Sequence, residues 1–586
     1  MRTFSMGLIQ LKKNMTYQIA FVAENKECGV ILIDKKSGEE VERISLADAP
    51  RYGNVVVGIL DGIRLCEYGY LLYDGEAVFS DPYARCFLSG REYGKVYALP
   101  QIAVYEEISD KVTVAPLTGG LTQNPVVYEA HVRGFTMHSS SKVKGRGTFY
   151  GMTQKIPYLR ELGIDVVSLQ PIYEFDEVDK EGKLNYWGYT KGYYFAPKAT
   201  YSHADNAVKE CKEMVNAFHE NGMEVVLQFY FPKSVSYELM VDALRHWVYA
   251  YGVDGFHLIG EDIPFDALSK DAMLSKIRLW YHDAAPMTMP HSYGKETEKR
   301  FGLYREDYLY EMRRFLKGDE NLAGLVSKRM RTVPDSYEVL NFFAHYVGFT
   351  LADTVSYERK NNEENGEGGQ DGPAYNASWN CGEEGASAKK RSVLTLRKKQ
   401  LKNAFTLLMV STGIPVIFMG DEFGNSQGGN NNPYCIDSET TWLDWSYARR
   451  NKELMDFVRE LISFRKSAKV FTPKKECMLM DYASCGYPDL SYHGQEAWKP
   501  QWESFSREFA MLYAGDYVGE KGIFYYIAIN MHHEPHTFAL PKLPKKVQMS
   551  LLKTTDERVS VTDKEISLPE RSVAIYFIDT RKHRVL

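Results

Sequence analysis

The stretch HADNAVKECKEMVNAFHENGMEVVLQFYF, residues 203–231, decides the fold class of this chain. Its first part is amphipathic and ends at Gly222, which predicts a helix with a glycine stop. Its second part is an almost continuous apolar run, which is typical of a strand buried on both faces of a parallel sheet. The stretch therefore predicts one helix followed by one parallel strand.

Units of the same kind recur between about residue 125 and residue 465. Apolar strand-like runs alternate there with segments that are long enough for amphipathic helices. Repeated units of this kind predict a parallel sheet, and this many of them predict a (β/α)8 barrel of the TIM type. The strand-like runs include PVVYEAHVRGF, IDVVSLQPI, VDGFHLIG and IPVIFMG.

The segments on either side of the barrel have a different pattern. From about residue 15 to residue 110, short apolar runs separated by turn residues predict a small antiparallel β-sandwich. The end of the chain is again strand-like and predicts a C-terminal antiparallel β-domain. We therefore expect a multidomain α/β protein with a β-sandwich at 1–115, a (β/α)8 barrel at 116–468 and a β-domain at 469–586.

Composition restricts the class of protein. The 586 residues are 44% hydrophobic and 25% charged, which is typical of a globular protein. A net charge of −6 gives no electrostatic reason to expect nucleic acid or a membrane surface as a partner. The eight cysteines include no C-x-x-C pair, and the chain has neither a signal-peptide core nor a run of 18 apolar residues. We expect a cytoplasmic protein with no membrane span, metal or cofactor.

Six motifs identify a resemblance that covers most of the barrel. The chain resembles the debranching branch of glycoside hydrolase family 13, the isoamylases and bacterial glycogen-debranching enzymes. The resemblance implies an α-amylase-type barrel, α-glucan as ligand, and an N-terminal sandwich like a family 48 carbohydrate-binding module. The motifs are VYEAHVRGFT (127–136), NYWGYTKGYYFAPKATY (185–201), RRFLKGDENLAGLVSKRM (313–330), HYVGFTLADTVSY (345–357), SWNCGEEG (378–385) and GIPVIFMGDEFGNSQGGNNNPYC with WLDW (413–445).

The resemblance also implies that the catalytic carboxylates are missing. Retaining glycosidases need two carboxyl groups about 5 Å apart, one as nucleophile and one as acid/base. The family pattern G-F-R-x-D places the nucleophile at Ile259, with His257 in place of the arginine. KIRLWYHD places the acid/base at Trp280, and AHYVGFT places the third carboxylate at Tyr346. A barrel without these groups cannot form the glycosyl-enzyme intermediate.

Glu261 offers a route by which the chemistry is relocated rather than lost. If the strand continued through Gly260, Glu261 would share a face with Ile259, because side chains alternate along a strand. The other interpretation is a solvated carboxylate at the start of a loop.

Other family positions in the cleft keep polar or aromatic side chains. Each of these residue types is also common as a packed core residue, and for the set as a whole a sugar-contacting role is as well supported as packing. The expected substrate-binding residues are Tyr128, His131, Tyr186, Trp187, His257 and His345.

Three hypotheses about function follow. The first is a non-hydrolytic, binding or regulatory protein for α-glucan polysaccharides or oligosaccharides, with an active debranching enzyme or a second copy as partner. The second is an active α-1,6-glucosidase or glucan transferase whose carboxylate pair has moved and includes Glu261. The third is an interaction scaffold with a closed cleft.

Overall fold

The N-terminal part of the chain forms two antiparallel sheets that share one apolar core. The computed structural model describes residues 5–12, 15–88, 92–95, 100–105, 113–115, 117, 120–282, 284–285, 288–289, 299–542 and 548–581. The strands are β1 Gly7–Lys12, β2 Thr16–Val22, β3 Cys28–Asp34, β4 Glu40–Ser45, β5 Arg51–Tyr52, β6 Val55–Asp61, β7 Tyr68–Asp74, β8 Ala77–Phe79 and β9 Ala103–Val104. One sheet has the order β1-β2-β6-β5. The other has the order β4-β3-β7-β8, with β9 beside β7.

Eight parallel strands then close into a barrel, which confirms the predicted fold class. In barrel order they are β10 Val127–Ala130, β11 Val166–Leu169, β14 Glu224–Phe231, β15 Gly255–Gly260, β16 Arg278–Tyr281, β17 Phe301–Tyr304, β18 Glu338–Asn341 and β19 Ile414–Phe418. A separate hairpin, β12 Tyr173–Glu174 with β13 Tyr193–Pro197, follows the second barrel strand.

α-Helices lie between most successive barrel strands and after the last one, although none lies between β16 and β17 among the described residues. They are α1 Val132–Met137, α2 Phe149–Thr153, α3 Ile156–Leu162, α4 Ala207–Glu220, α5 Tyr237–Tyr251, α6 Phe265–Lys270, α7 Glu306–Lys317, α8 Ala323–Arg331, α9 Leu351–Thr354, α10 Arg391–Val410, α11 Ser446–Arg450 and α12 Lys452–Ser467. No helix among the described residues is long and apolar enough to cross a lipid bilayer.

The helix and strand predicted from residues 203–231 are α4 and β14. The side chain of Asn206 caps the helix by accepting the Lys209 N–H, and Gly222 turns the chain after it with φ +72°. A residue with a side chain adopts this left-handed conformation only at a cost. Seven of the eight residues of β14 are buried, as expected for a strand inside a barrel.

The C-terminal strands form two further antiparallel sheets, one in the order β20-β21-β22-β27-β24 and one in the order β23-β26-β25. The strands are β20 Leu490–His493, β21 Glu508–Ala514, β22 Ile523–Asn530, β23 His536–Ala539, β24 Gln548–Thr554, β25 Ser560–Val561, β26 Glu565–Leu568 and β27 Ser572–Asp579. Antiparallel sheets, a parallel barrel and further antiparallel sheets thus follow one another along the chain in the predicted order. The exact domain boundaries stay predictions.

A buried ionic network closes the amino-terminal end of the barrel. The Arg278 guanidinium donates to the Glu224 carboxylate at 2.6 Å and lies 3.4 Å from Glu338. Arg278 and Glu224 are essentially inaccessible to water. Above them an apolar layer that includes Val127, Val226, Trp280, Leu340 and Val416 fills the barrel. The functional end is therefore the opposite, carboxyl-terminal mouth.

Candidate functional site at the barrel mouth

One acidic side chain faces the interior near the mouth. The eight barrel strands carry three carboxylates, and two of them, Glu224 and Glu338, belong to the network at the other end. The third is Glu129 on β10, which is fully buried and whose carboxylate oxygens have no hydrogen bond of normal geometry to the described residues.

The surroundings of Glu129 favour its protonated form. Burial raises the pKa of Glu129 to about 7, although His282, the backbone of Tyr346 and the Gln228 amide each act to lower it. Desolvation dominates because a carboxylate loses most of its hydration inside the barrel. Sequence reasoning missed Glu129, although it precedes Ala130 at the end of the first predicted barrel strand.

Histidine side chains lie beside this carboxyl group. His257 stacks face to face on Tyr304 with ring centroids 3.8 Å apart, and its Nε2 lies 3.3 Å from Nδ1 of His282. The His345 ring lies 5.6 Å from that of His282. Burial, together with the neighbouring imidazoles, holds the pKa values of His257 and His345 well below their usual range. Both are therefore neutral at physiological pH.

Tyr346 closes the mouth above this cluster. Its ring stacks on Tyr189 at 4.5 Å and meets Trp187 edge-on at 5.3 Å and His345 edge-on at 5.1 Å. Only 6% of Tyr346 and 7% of Trp187 is exposed. The position that the resemblance assigns to the third carboxylate is therefore occupied by an aromatic plug. Tyr189 was not among the residues predicted for this site.

Ile259 lies at the end of β15, where it is 7% exposed. The strand ends at the next residue, Gly260, whose φ of +130° turns the chain away, and a Cβ there would lie 2.1 Å from the carbonyl oxygen of Phe231. Glu261 follows this turn and is exposed. The alternation that would have placed Glu261 on the face of Ile259 therefore does not hold, because the strand does not continue.

Trp280 lies deeper in the barrel than the resemblance implies. It is fully buried in the apolar layer and pairs in register with His257, two residues below Ile259. If this register is continued, His282, which directly follows β16, is level with Ile259 on β15. The His282 backbone N–H donates to the carbonyl of Leu258. His282 also approaches Glu306, with 3.5 Å between Nε2 and the carboxylate.

The other expected substrate-binding residues take part in the packing below the plug. The Tyr128 hydroxyl donates to Glu422 at 2.9 Å and accepts the Gly420 N–H. Nδ1 of His131 accepts the Gly134 N–H, and its Nε2 lies 3.1 Å from the carbonyl oxygen of Tyr186.

Each of these three side chains, Tyr128, His131 and Tyr186, is at most 1% exposed. The structure thus brings them close to the mouth but presents none of their faces to solvent, so their sugar-contacting role stays a prediction.

Among the residues that the structure describes, no group of three or more His, Cys, Asp or Glu side chains is arranged to hold a metal ion.

Known proteins similar to this chain include isoamylases and glycogen operon proteins. The family model described as the α-amylase catalytic domain matches residues 135–236. The chloroplastic isoamylase SU1 of Zea mays is 30% identical over 627 residues, which cover 88% of this chain and 76% of that protein. The glycogen operon protein GlgX homolog of Mycobacterium bovis is 33% identical over 429 residues, which cover 60% of this chain and 59% of that protein.

Solved structures of other proteins have the same fold as this chain. The pullulanase SAP of Group B Streptococcus, in complex with maltotetraose, has a TM-score of 0.74 at 16% identity and matches 98% of this chain and 88% of that one. The catalytic module of the pneumococcal glycogen-degrading protein SpuA has a TM-score of 0.75 at 15% identity, with 100% and 99% covered. At such identities the likeness concerns the fold alone.

Proposed function

Since the chain belongs to the isoamylase and glycogen-debranching branch of the α-amylase family, we propose that it binds α-glucan without hydrolysing it. The observation that carries this proposal is the chemistry of the mouth. Ile259 is the penultimate residue of the fourth barrel strand. Glu129 is the one carboxyl group on the barrel strands that does not belong to the ionic network at the amino-terminal end. A retaining mechanism needs two carboxyl groups about 5 Å apart.

Glu129 alone does not replace the pair. A carboxyl group with a pKa of about 7 can donate a proton, but it cannot also be the ionised nucleophile for the same bond. The neighbouring His257 and His345 are held neutral by burial and carry no negative charge to stabilise an oxocarbenium-like transition state. The barrel therefore keeps the shape of the family without its acid and nucleophile.

Glucan binds at the rim of the mouth, outside the aromatic plug. Tyr230 at the end of β14 and Tyr434 in the loop beyond β19 are partly exposed. Tyr230 packs edge-on against Tyr189 at 6.3 Å, and Tyr434 packs against Trp187 at 6.3 Å. The exposed parts of these rings offer the kind of surface on which the apolar face of a glucose ring stacks. The Lys183 ammonium lies over the Tyr434 ring, 4.8 Å from its centre.

Affinity electrophoresis in gels containing glycogen or amylopectin tests binding. We expect retardation of the wild-type protein, and weaker retardation of Tyr230→Ala and Tyr434→Ala. Tyr249→Ala is the matched control, because Tyr249 is 84% exposed on α5, away from the mouth. Maltotetraose, which is bound in the related pullulanase structure, is a suitable soluble competitor.

Release of reducing ends separates binding from catalysis. The purified protein should release none from amylopectin, glycogen or pullulan. Release that is abolished by Glu129→Gln would overturn the proposal and support the active enzyme of the second hypothesis. Release that persists in this variant would point to a carboxylate outside the barrel strands.

The closed-cleft scaffold remains the second candidate, since Ile259, Trp187 and Tyr346 are each at most 7% exposed. It predicts no retardation in either gel and no effect of the two rim substitutions. The glucan-binding proposal has three further parts: a partner role beside an active debranching enzyme, a glucan-binding N-terminal sandwich and a cytoplasmic location. Co-purification with an active debranching enzyme tests the first of these.

A further inference from the structure

A second pocket lies outside the barrel, between the N-terminal sheets and helices α4 and α5. Its volume is about 420 Å3, within the range of roughly 300–1,000 Å3 common for small-molecule sites. Leu8 on β1 and Tyr83 form part of one wall. Arg85, Lys212 on α4 and His246 on α5 contribute charged and polar side chains to the lining. None of the mouth residues takes part.

The two cations of this pocket are Arg85 and Lys212. Arg85 is exposed and Lys212 half-buried, and neither forms an ion pair among the described residues. The Lys212 ammonium lies 5.9 Å from the centre of the Tyr251 ring. The pocket therefore carries positive charge that is available to an anion.

Two of the acids around the pocket interact with other groups. Asp81 lies behind the wall, where its carboxylate accepts the Tyr70 hydroxyl and the Tyr83 N–H, and burial raises its pKa to about 6. Asp242 on α5 lies 3.4 Å from Arg245 on the same helix. Arg85 acts on Asp81 electrostatically, which lowers the pKa of that carboxyl group, but no ion pair joins the two. Glu238, at the start of α5, is exposed to solvent. Arg85 and Lys212 are therefore available to a ligand in the pocket.

His246 supplies a buried hydrogen-bond acceptor. Its Nε2 is shielded from solvent and has no partner among the described residues. Burial, with Arg85 and Lys212 nearby, lowers the pKa of His246 to about 3, so the ring is neutral. The imidazole N–H is directed to the backbone carbonyl of Phe195, and a neutral ring has only one N–H. Nε2 is therefore a lone pair that can accept a hydroxyl hydrogen.

We propose that this pocket binds a phosphorylated sugar. The phosphate contacts Arg85 and Lys212, and a sugar hydroxyl donates to Nε2 of His246. The pyranose ring lies against the half-buried ring of Tyr83, which Phe195 supports from 4.9 Å away. The ligand bridges the N-terminal sheets and the outer helices of the barrel. This inference is independent of the glucan-binding proposal, because it uses no residue of the mouth.

Isothermal titration calorimetry on the full chain tests the inference with three probes: glucose 1-phosphate, inorganic phosphate and unphosphorylated glucose. We expect saturable binding of glucose 1-phosphate that is at least about tenfold tighter than binding of either other probe. The reason is that inorganic phosphate lacks the sugar ring and glucose lacks the phosphate group. Equal affinity for glucose 1-phosphate and inorganic phosphate would overturn the assignment to a sugar. The absence of saturable binding of all three probes would overturn the site.

Variants separate the roles of the pocket residues. Arg85→Gln and Lys212→Gln should each weaken binding about tenfold, as expected for the loss of one charge-assisted contact. Val208→Trp should abolish binding by filling the pocket from α4. Lys209→Gln is the matched control, since Lys209 lies on the same helix but faces Glu213 at 3.7 Å. Unchanged affinity in the Arg85 and Lys212 variants, with native circular dichroism, would overturn the proposal.

Discussion

Replacement of Tyr346 by alanine tests whether this ring closes the barrel mouth. Tyr346 is 6% exposed and packs between Tyr189, Trp187 and His345. A buried aromatic side chain removes roughly 150 Å² or more from water, which at about 25 cal/mol per Å² corresponds to about 4 kcal/mol. Measured large-to-small core substitutions of aromatic residues fall in the same range, roughly 3–5 kcal/mol.

We therefore expect Tyr346→Ala to lower the free energy of unfolding by about 4 kcal/mol. Urea unfolding followed by tryptophan fluorescence measures it, because Trp187 contacts the substituted ring. A double-mutant cycle with Tyr189→Leu should give a coupling energy of roughly 0.5–1.5 kcal/mol for the stacked pair. The exposed Tyr249→Ala should cost less than about 0.5 kcal/mol.

The same variant has a functional consequence. Without the Tyr346 ring, faces of Trp187 and Tyr189 become accessible to glucan, and retardation in glycogen gels should increase. A destabilisation no larger than that of Tyr249→Ala, together with unchanged retardation, would refute the description of Tyr346 as a plug. Destabilisation without greater retardation would keep the packing but contradict the role in access.

Three further substitutions test the barrel itself. Arg278→Met should destabilise the protein by roughly 3–5 kcal/mol, because it leaves the inaccessible Glu224 without its partner. Burial raises the pKa of Glu129 from 4.5 to about 7, so its contribution to stability is complete below about pH 4.5 and is lost as the pH rises through 7. Glu129→Gln should therefore gain about 2.5 kcal/mol relative to the wild type between pH 5 and pH 8, measured by urea unfolding. Gly260→Ala should cost at least about 3 kcal/mol, whereas Gly222→Ala, where a Cβ meets nothing within 4 Å, should cost about 1 kcal/mol.

Each of these predictions has an outcome that contradicts it. An effect of Arg278→Met as small as that of the exposed Arg64→Met would mean that the network adds little stability. A pH-independent difference between Glu129→Gln and the wild type would show that Glu129 titrates normally. Equal costs for the two glycine substitutions would show that the turn at residue 260 is not tightly packed.

The barrel could be predicted from the sequence because most of its strands are apolar runs that can be recognised locally, although β17 was not among the predicted strands. The run from Glu224 to Phe231 is apolar at nearly every position, and Gly222 ends the helix before it. Both signals lie within a few residues of the element that they predict. The family followed from motifs of the same local kind, and the relatives confirm it.

The arrangement of the mouth could not be derived in this way. Alternation along a strand predicts which side chains point inwards, but not how far one strand is staggered against the next. The expected position of Trp280 at the mouth depended on that stagger, and the register with His257 instead places it in the apolar layer. The proposed rescue by Glu261 depended on the strand continuing, which the turn at Gly260 prevents.

The sequence by itself determined the order of the elements, the family, and the absence of an acidic residue at position 259. Only the tertiary structure decided that Tyr346 covers the mouth and that Glu129 is left beneath it as a carboxyl group with a pKa of about 7. These properties arise where side chains from the first barrel strand, the hairpin loop and the loop after β18 meet. Burial and electrostatic interaction depend on distances in space, and residues more than 200 positions apart acquire such distances only when the barrel closes.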